Sequence, residues 1–173
     1  MFDIGSYVIY RSEGVCVVSD IREENFGTIG KSEKYYILTS VNSQGSTTFI
    51  PVNNEELTSH MRPLLSATQI NQMAEALRDS RIEWIDETRA RSNRFKEILA
   101  AGVPDELIRL ANTVSERIDA ATANGKKPST TDLNALRRAE RILFDQFCST
   151  TDLVSPQDII PLLRGNITAS DKK

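Results

Sequence analysis

Through the first 62 residues, apolar and polar positions alternate with a period near two. In FDIGSYVIYRSEGVCVVSDI, residues 2–21, apolar side chains recur at Ile4, Val8 and Tyr10, and again at Val15, Val17 and Ile21. That rhythm predicts two strands joined by a tight turn at Ser12-Glu13-Gly14. Glycine takes positive φ without steric cost, so Gly14 is the expected pivot. Arg22 to Glu33 is polar, holds Gly27 and Gly30, and reads as a loop. KYYILTSV, residues 34–41, is apolar on both faces and predicts a central strand. Asn42-Ser43-Gln44-Gly45 reads as a hairpin turn, and STTFIP, residues 46–51, as a fourth strand that Pro51 ends because it lacks an N–H. A single helical turn is expected at residues 53–58.

Near Met61-Arg62-Pro63 the period changes from two to 3.6. Ser66 or Thr68 can cap a helix presenting Ile70, Met73, Ala74 and Leu77 on one face. A second helix is expected from Arg81 to Ala101, carrying Trp84, Ile85, Thr88, Phe95, Ile98 and Leu99 and stopping at Gly102. Pro104 fits the first turn of a third, striped by Leu107, Leu110, Ala111, Val114, Ile118 and Ala121. Ser129 with Asp132, or Thr130, would cap a fourth bearing Leu133, Leu136, Leu143, Phe144 and Phe147. Ser155-Pro156 opens a short last helix containing Pro161. The pattern is α+β: a small antiparallel barrel of the SH3 or Tudor kind over residues 1–62, an all-α domain over 63–165, and a disordered tail over 166–173.

Charge changes this picture in one respect. The net charge is −3. Residues 1–62 hold five basic and eight acidic side chains, which leaves 16 of each sign in the remainder. A protein that binds DNA on its own usually carries a strong basic field, because phosphate neutralisation supplies most of the affinity. The chain lacks one, so any duplex binding by the free protein is expected to be weak and non-specific. The most basic window is 124–141, with Lys126, Lys127, Arg137, Arg138 and Arg141 against Asp132 and Glu140.

Little in the sequence points to catalysis, a metal or a cofactor. One histidine, His60, and two cysteines, Cys16 and Cys148, cannot make a four-ligand zinc site of the usual kind. No phosphate-binding glycine loop, HExxH or paired-carboxylate motif is present. No apolar run nears the roughly 20 residues that span a membrane, and the N-terminus lacks the form of a secretion signal. Two thiols in a reducing cytoplasm are expected rather than a disulfide.

The opening FDIGSYVIYRSEGVCVV resembles the pattern V-G-D-x-V-V-Y-P-x-x-G-V-G-x-V of the CarD family of bacterial RNA polymerase-binding transcription regulators, whose β module also occurs in the transcription-repair coupling factor. YYIL before a strand ending in an apolar-Pro step fits too. So do a tryptophan early in the second helix, then RFKEILAAG, ELIRL, a basic break and AERILFDQF, so the likeness spans about residues 2–150. Ser6, Arg11 and Cys16 depart from the pattern, which has aspartate, proline and a small residue there. The resemblance implies a β module that adds its sheet edge to the polymerase β subunit, through Arg22, Glu24, Tyr35, Thr48, Phe49 and Pro51. It also implies a helical domain that holds the melted promoter open with an aromatic wedge. Trp84 is the one tryptophan able to do that.

Trp84 reads equally as a core residue of an amphipathic helix. Arg89, Arg91 and Arg94 read as a phosphate-facing stripe or as a solvated face paired with Glu87 and Glu97. Lys126, Lys127, Arg137 and Arg138 read as a DNA contact or a solvated loop. The expected partners are the polymerase β subunit and, within that complex, promoter DNA. The expected state is a cytoplasmic monomer with no cofactor. The alternative is a protein-interaction adaptor whose barrel binds another protein without touching DNA.

Overall fold

A computed structural model describes residues 1–26, 32–41 and 45–172. The glycine-bearing part of the expected loop at 27–31 and the turn residues 42–44 lie outside the described residues. The chain divides into two units, Met1–Leu64 and Leu65–Lys173.

The first unit is an antiparallel sheet of five strands: β1 (Tyr7–Tyr10), β2 (Gly14–Glu24), β3 (Glu33–Ser40), β4 (Thr47–Pro51) and β5 (Met61–Pro63). Their order across the sheet is β4-β3-β2-β1-β5. The expected small curled barrel is an antiparallel sheet that does not close, with β4 and β5 at its edges. The helical turn α1 (Glu55–Ser59) connects these edge strands and touches both. The loop expected from Arg22 is also corrected. β2 continues to Glu24 and β3 begins at Glu33, because Arg22, Glu23 and Glu24 pair with Tyr35, Lys34 and Glu33.

Between β1 and β2 the chain makes a 3-10 turn, Arg11–Glu13, before Gly14 at φ 77°. Arg11 itself holds φ 45°, a value proline's ring forbids, so this turn takes a different path from one with proline there. A bulge at Ser19 shifts the β2–β3 register between Val18 and Asp20. Its hydroxyl donates to the Ile37 carbonyl at 2.9 Å and accepts from Thr39 Oγ1 at 3.0 Å. The bulge puts Cys16, Val18 and Ile21 on one face, where they join Val8, Tyr10, Tyr36, Leu38, Ile50 and Met61 in the core of this unit.

The second unit packs α2 (Ala67–Ala76), α3 (Thr88–Ala101), α4 (Pro104–Ala123), α5 (Thr130–Phe147) and the short α6 (Ile159–Leu163) around one core. Ile70, Phe95, Leu99, Leu107, Leu110, Leu143, Phe147 and Ile159 are its main large members. Ser66 caps α2 in a reciprocal capping box with Gln69. α5 starts after Ser129, whose side chain makes no cap bond. The predicted pairing of Ser129 with Asp132 fails because Asp132 is turned inward and bonded elsewhere.

Two expectations for this unit are overturned. The helix expected from Arg81 begins only at Thr88, and residues 81–87 form a non-helical strap. The strap's polar groups find partners on α4: Ile82 N–H donates to Thr113 Oγ1 at 3.0 Å, and Arg81 Nε to Glu116 Oε2 at 2.9 Å. The tail is tied down over its described residues, 166–172, rather than frayed. Asn71 exchanges two hydrogen bonds with the Ala169 backbone, Asp171 Oδ1 accepts from Ala67 N–H, and Thr151 bridges Asp171.

Candidate functional site

In the first unit, strand register decides which predicted residues share a face. Arg22 lies opposite Tyr35, and Tyr35 opposite Pro51, so the three form a row across the sheet. The next row is Asp20, Ile37 and Phe49. Side chains two apart on a strand share a face, so Glu24 joins this side as well. Arg22 bridges the acids along β2, at 2.6 Å to Glu24 and 3.2 Å to Asp20. Its hydrogen bond to Glu24 is the main reason its pKa is raised.

Phe26 completes the face. Its ring meets Tyr35 edge-on at 5.2 Å between centroids and Phe49 at 5.0 Å. Phe26 is 60 % and Phe49 37 % exposed, which makes a solvent-facing aromatic cluster rather than core. Five of the six residues expected to meet the polymerase, Arg22, Glu24, Tyr35, Phe49 and Pro51, fall on this side. Thr48 does not: it sits opposite Leu38, a core position, and donates to Glu13 Oε2 at 2.8 Å. Sequence reasoning passed over Phe26. The available signal was a lone aromatic in the polar run REENFGTIG.

In the second unit, Trp84 sits on the strap, half-buried, with its ring tilted against Phe95 at 6.5 Å. Two guanidiniums lie over the indole, those of Arg91 and Arg117, each 4.6 Å from the centroid. Arg91 is 6 % exposed. Its Nε bonds Asp132 Oδ1 at 3.1 Å, and its Nη1 donates to the carbonyls of Ile85 and Asp86 at 2.9 Å each. The phosphate-facing stripe thus loses its middle member, since burial and an internal counter-ion turn Arg91 inward.

Arg89 stays exposed, and Arg94 is shared between Glu97 at 3.3 Å and Glu106 at 3.7 Å. Glu87 is drawn away from the solvated face as well. Its carboxylate caps α3 by accepting from the Arg89 and Ala90 N–H groups, which lowers its pKa. Lys126 and Lys127 lie exposed in the turn after α4, and Arg137 and Arg138 project from α5. Between α3 and α5 runs a groove of about 200 Å³ flanked by Lys96 and Arg138, with Ser92 and Asn134 at its walls. Of the seven cations expected beside Trp84, Arg91 is the one seated on its ring. Lys96 and Arg117 were missed because neither has a local sequence signal.

Among the described residues no group of three metal-ligating side chains occurs, and no helix is long and apolar enough to cross a membrane. Both cysteines are free thiols. Residues 2–65 match the family model described as the CarD-like/TRCF RID domain. No curated protein matches the chain.

Proposed function

We propose that this chain, whose N-terminal unit makes it a member of the CarD-like RNA polymerase-interacting family, is a non-catalytic transcription regulator that docks on the polymerase β subunit and lengthens the life of the promoter open complex. The observation that carries the reading is the family match over residues 2–65, which covers the whole sheet with its exposed aromatic face. β4 is an edge strand, so it has backbone groups free to extend a partner's sheet, while Arg22, Phe26, Tyr35 and Phe49 supply side-chain specificity beside it.

For the helical unit the proposal is a DNA contact centred on Trp84. A half-buried ring has one part anchored in the core and another available to a base step that the polymerase has already unstacked. Arg89, Lys126, Lys127, Arg137 and Arg138 are the solvent-facing cations proposed to meet phosphate. The protein acts as a cytoplasmic monomer, and free chain binds duplex DNA no better than the roughly 10⁻⁴–10⁻⁶ M of non-specific binding.

A second reading has an observation in its favour. Arg91 and Arg94 are engaged by carboxylates of the same unit, as an adaptor that never meets DNA would have them. One experiment separates the two. Tagged chain is tested for capture of RNA polymerase, and open-complex lifetime is measured with wild type and Trp84→Ala. The regulator requires capture by both proteins and loss of the lifetime effect in the variant. Capture with no lifetime effect from either protein favours the adaptor. The half-buried ring should cost the fold about 2 kcal/mol, below the 3–5 kcal/mol of a fully buried one, so the helical unit stays folded.

A further inference from the structure

We infer that Arg117 is a nucleic-acid contact: it covers the Trp84 ring in the free protein and moves to a backbone phosphate when a base stacks there. The inference rests on the proposed DNA contact of the helical unit. The two guanidiniums on the indole are equally close, at 4.6 Å, but differently held. Arg91 is buried and fixed by Asp132 and two backbone carbonyls. Arg117 is exposed on α4, and among the described residues its guanidinium makes no hydrogen bond or ion pair.

The neighbouring carboxylates explain why. Glu116 is taken by Arg81 at 2.9 Å and Asp119 by Arg164 at 2.6 Å. The helical neighbours three and four residues away, Thr113, Val114, Ala120 and Ala121, are all uncharged. Arg117 therefore spends its charge on the ring alone. An exposed cation on an aromatic face is a weak contact. An arginine–phosphate pair is a charge-assisted, often bidentate one, and a base has a π-face that stacks on the vacated ring. Exchanging guanidinium for base, and water for phosphate, improves both contacts at once. Arg91 has no such freedom and stays as the fixed support of the ring.

The test uses full-length chain with polymerase on one promoter, comparing wild type, Trp84→Ala, Arg117→Ala and Arg117→Lys. Open-complex lifetime is read across a salt series, with thermal melting and polymerase capture as controls. Arg117→Ala should melt and capture as wild type does, yet shorten the lifetime about tenfold. It should also reduce the slope of log lifetime against log salt by about 0.9. Arg117→Lys should regain much of both, since the charge returns without the planar fork. An unchanged lifetime and slope in Arg117→Ala, with the effect lost in Trp84→Ala, overturns the inference and leaves the DNA contact standing. A longer lifetime in Arg117→Ala also overturns it, because Arg117 would then only obstruct the ring. If Trp84→Ala behaves as wild type, the DNA contact itself fails and the role of Arg117 falls with it.

Discussion

Replacing Asp132 tests the strap most directly. Its carboxylate and the Arg91 guanidinium are 3.1 Å apart, with side chains only 11 % and 8 % exposed. Removing one partner of a buried pair typically costs about 3–5 kcal/mol, because the survivor stays in the interior without its counter-ion. Here the cost is cushioned: Arg91 keeps two carbonyl acceptors and the indole face. About 2–4 kcal/mol is therefore expected for Asp132→Ala, and less for Asp132→Asn, whose amide oxygen still accepts. The chain has a single tryptophan, on the strap, and its four tyrosines all lie before residue 37. Tryptophan emission during urea unfolding therefore reports the helical unit alone. With an m-value of about 2 kcal/mol per molar, the midpoint should fall by about 1–2 M in Asp132→Ala. Exchanging both partners, Arg91→Met with Asp132→Leu, should recover part of that loss, since no buried charge is then stranded. A midpoint within about 0.3 M of wild type for Asp132→Ala would refute the claim that the pair holds the strap.

Phe26→Ser with Phe49→Ser should weaken polymerase capture while moving stability by no more than about 1 kcal/mol, as exposed positions do; undiminished capture would remove the aromatic face from the interface. Cys16 is buried, and burial first, then the nearby Glu13 charge, push its thiol up to about 11. A thiol reagent at pH 8 should therefore reach Cys16 only after unfolding, and rapid native labelling would contradict its burial. Because the folded value exceeds the unfolded 9.0, this group's contribution to stability is complete below pH 9 and is lost as pH rises through about 11. Deleting residues 166–173 should lower the stability of the helical unit by about 1–3 kcal/mol, given the bonds lost to Asn71 and Ala67. An unchanged urea midpoint would show that the tail does not brace it.

Strands were legible because alternation is a local signal, but the core face of β2 was not: the pattern marks Val15, Val17 and Ile21, whereas Val8 pairs with Cys16 and the core takes Cys16 and Val18 together with Ile21. The bulge at Ser19 was not legible, since nothing in VVSDI marks the extra residue. Nor was the opening of the sheet, which depends on where β4 and β5 end up. The strap was misread as helix because Trp84, Ile85 and Thr88 fall at helical spacing with no glycine or proline between. Tertiary partners on α4 outweighed that local preference. Asp132 fits a capping box with Ser129 by spacing, yet it serves Arg91, 41 residues earlier in the chain. The face around Tyr35 was implied by the resemblance, while the two guanidiniums over Trp84 come from α3 and α4 and leave no trace in the local sequence.

A helical Trp84 would have its bearing dictated by its own helix, rotating with every insertion before it. On a non-helical strap the ring instead inherits its pose from afar. Arg91 sets one contact on the indole, Thr113 pegs the strap's backbone at Ile82, Glu116 holds the Arg81 side chain, and Asp132 sets Arg91. Substitutions on three helices can thus raise, lower or tilt the indole without altering the residue itself. Substitution at those remote positions acts as a graded dial on the ring, separate from the all-or-none choice of keeping the tryptophan.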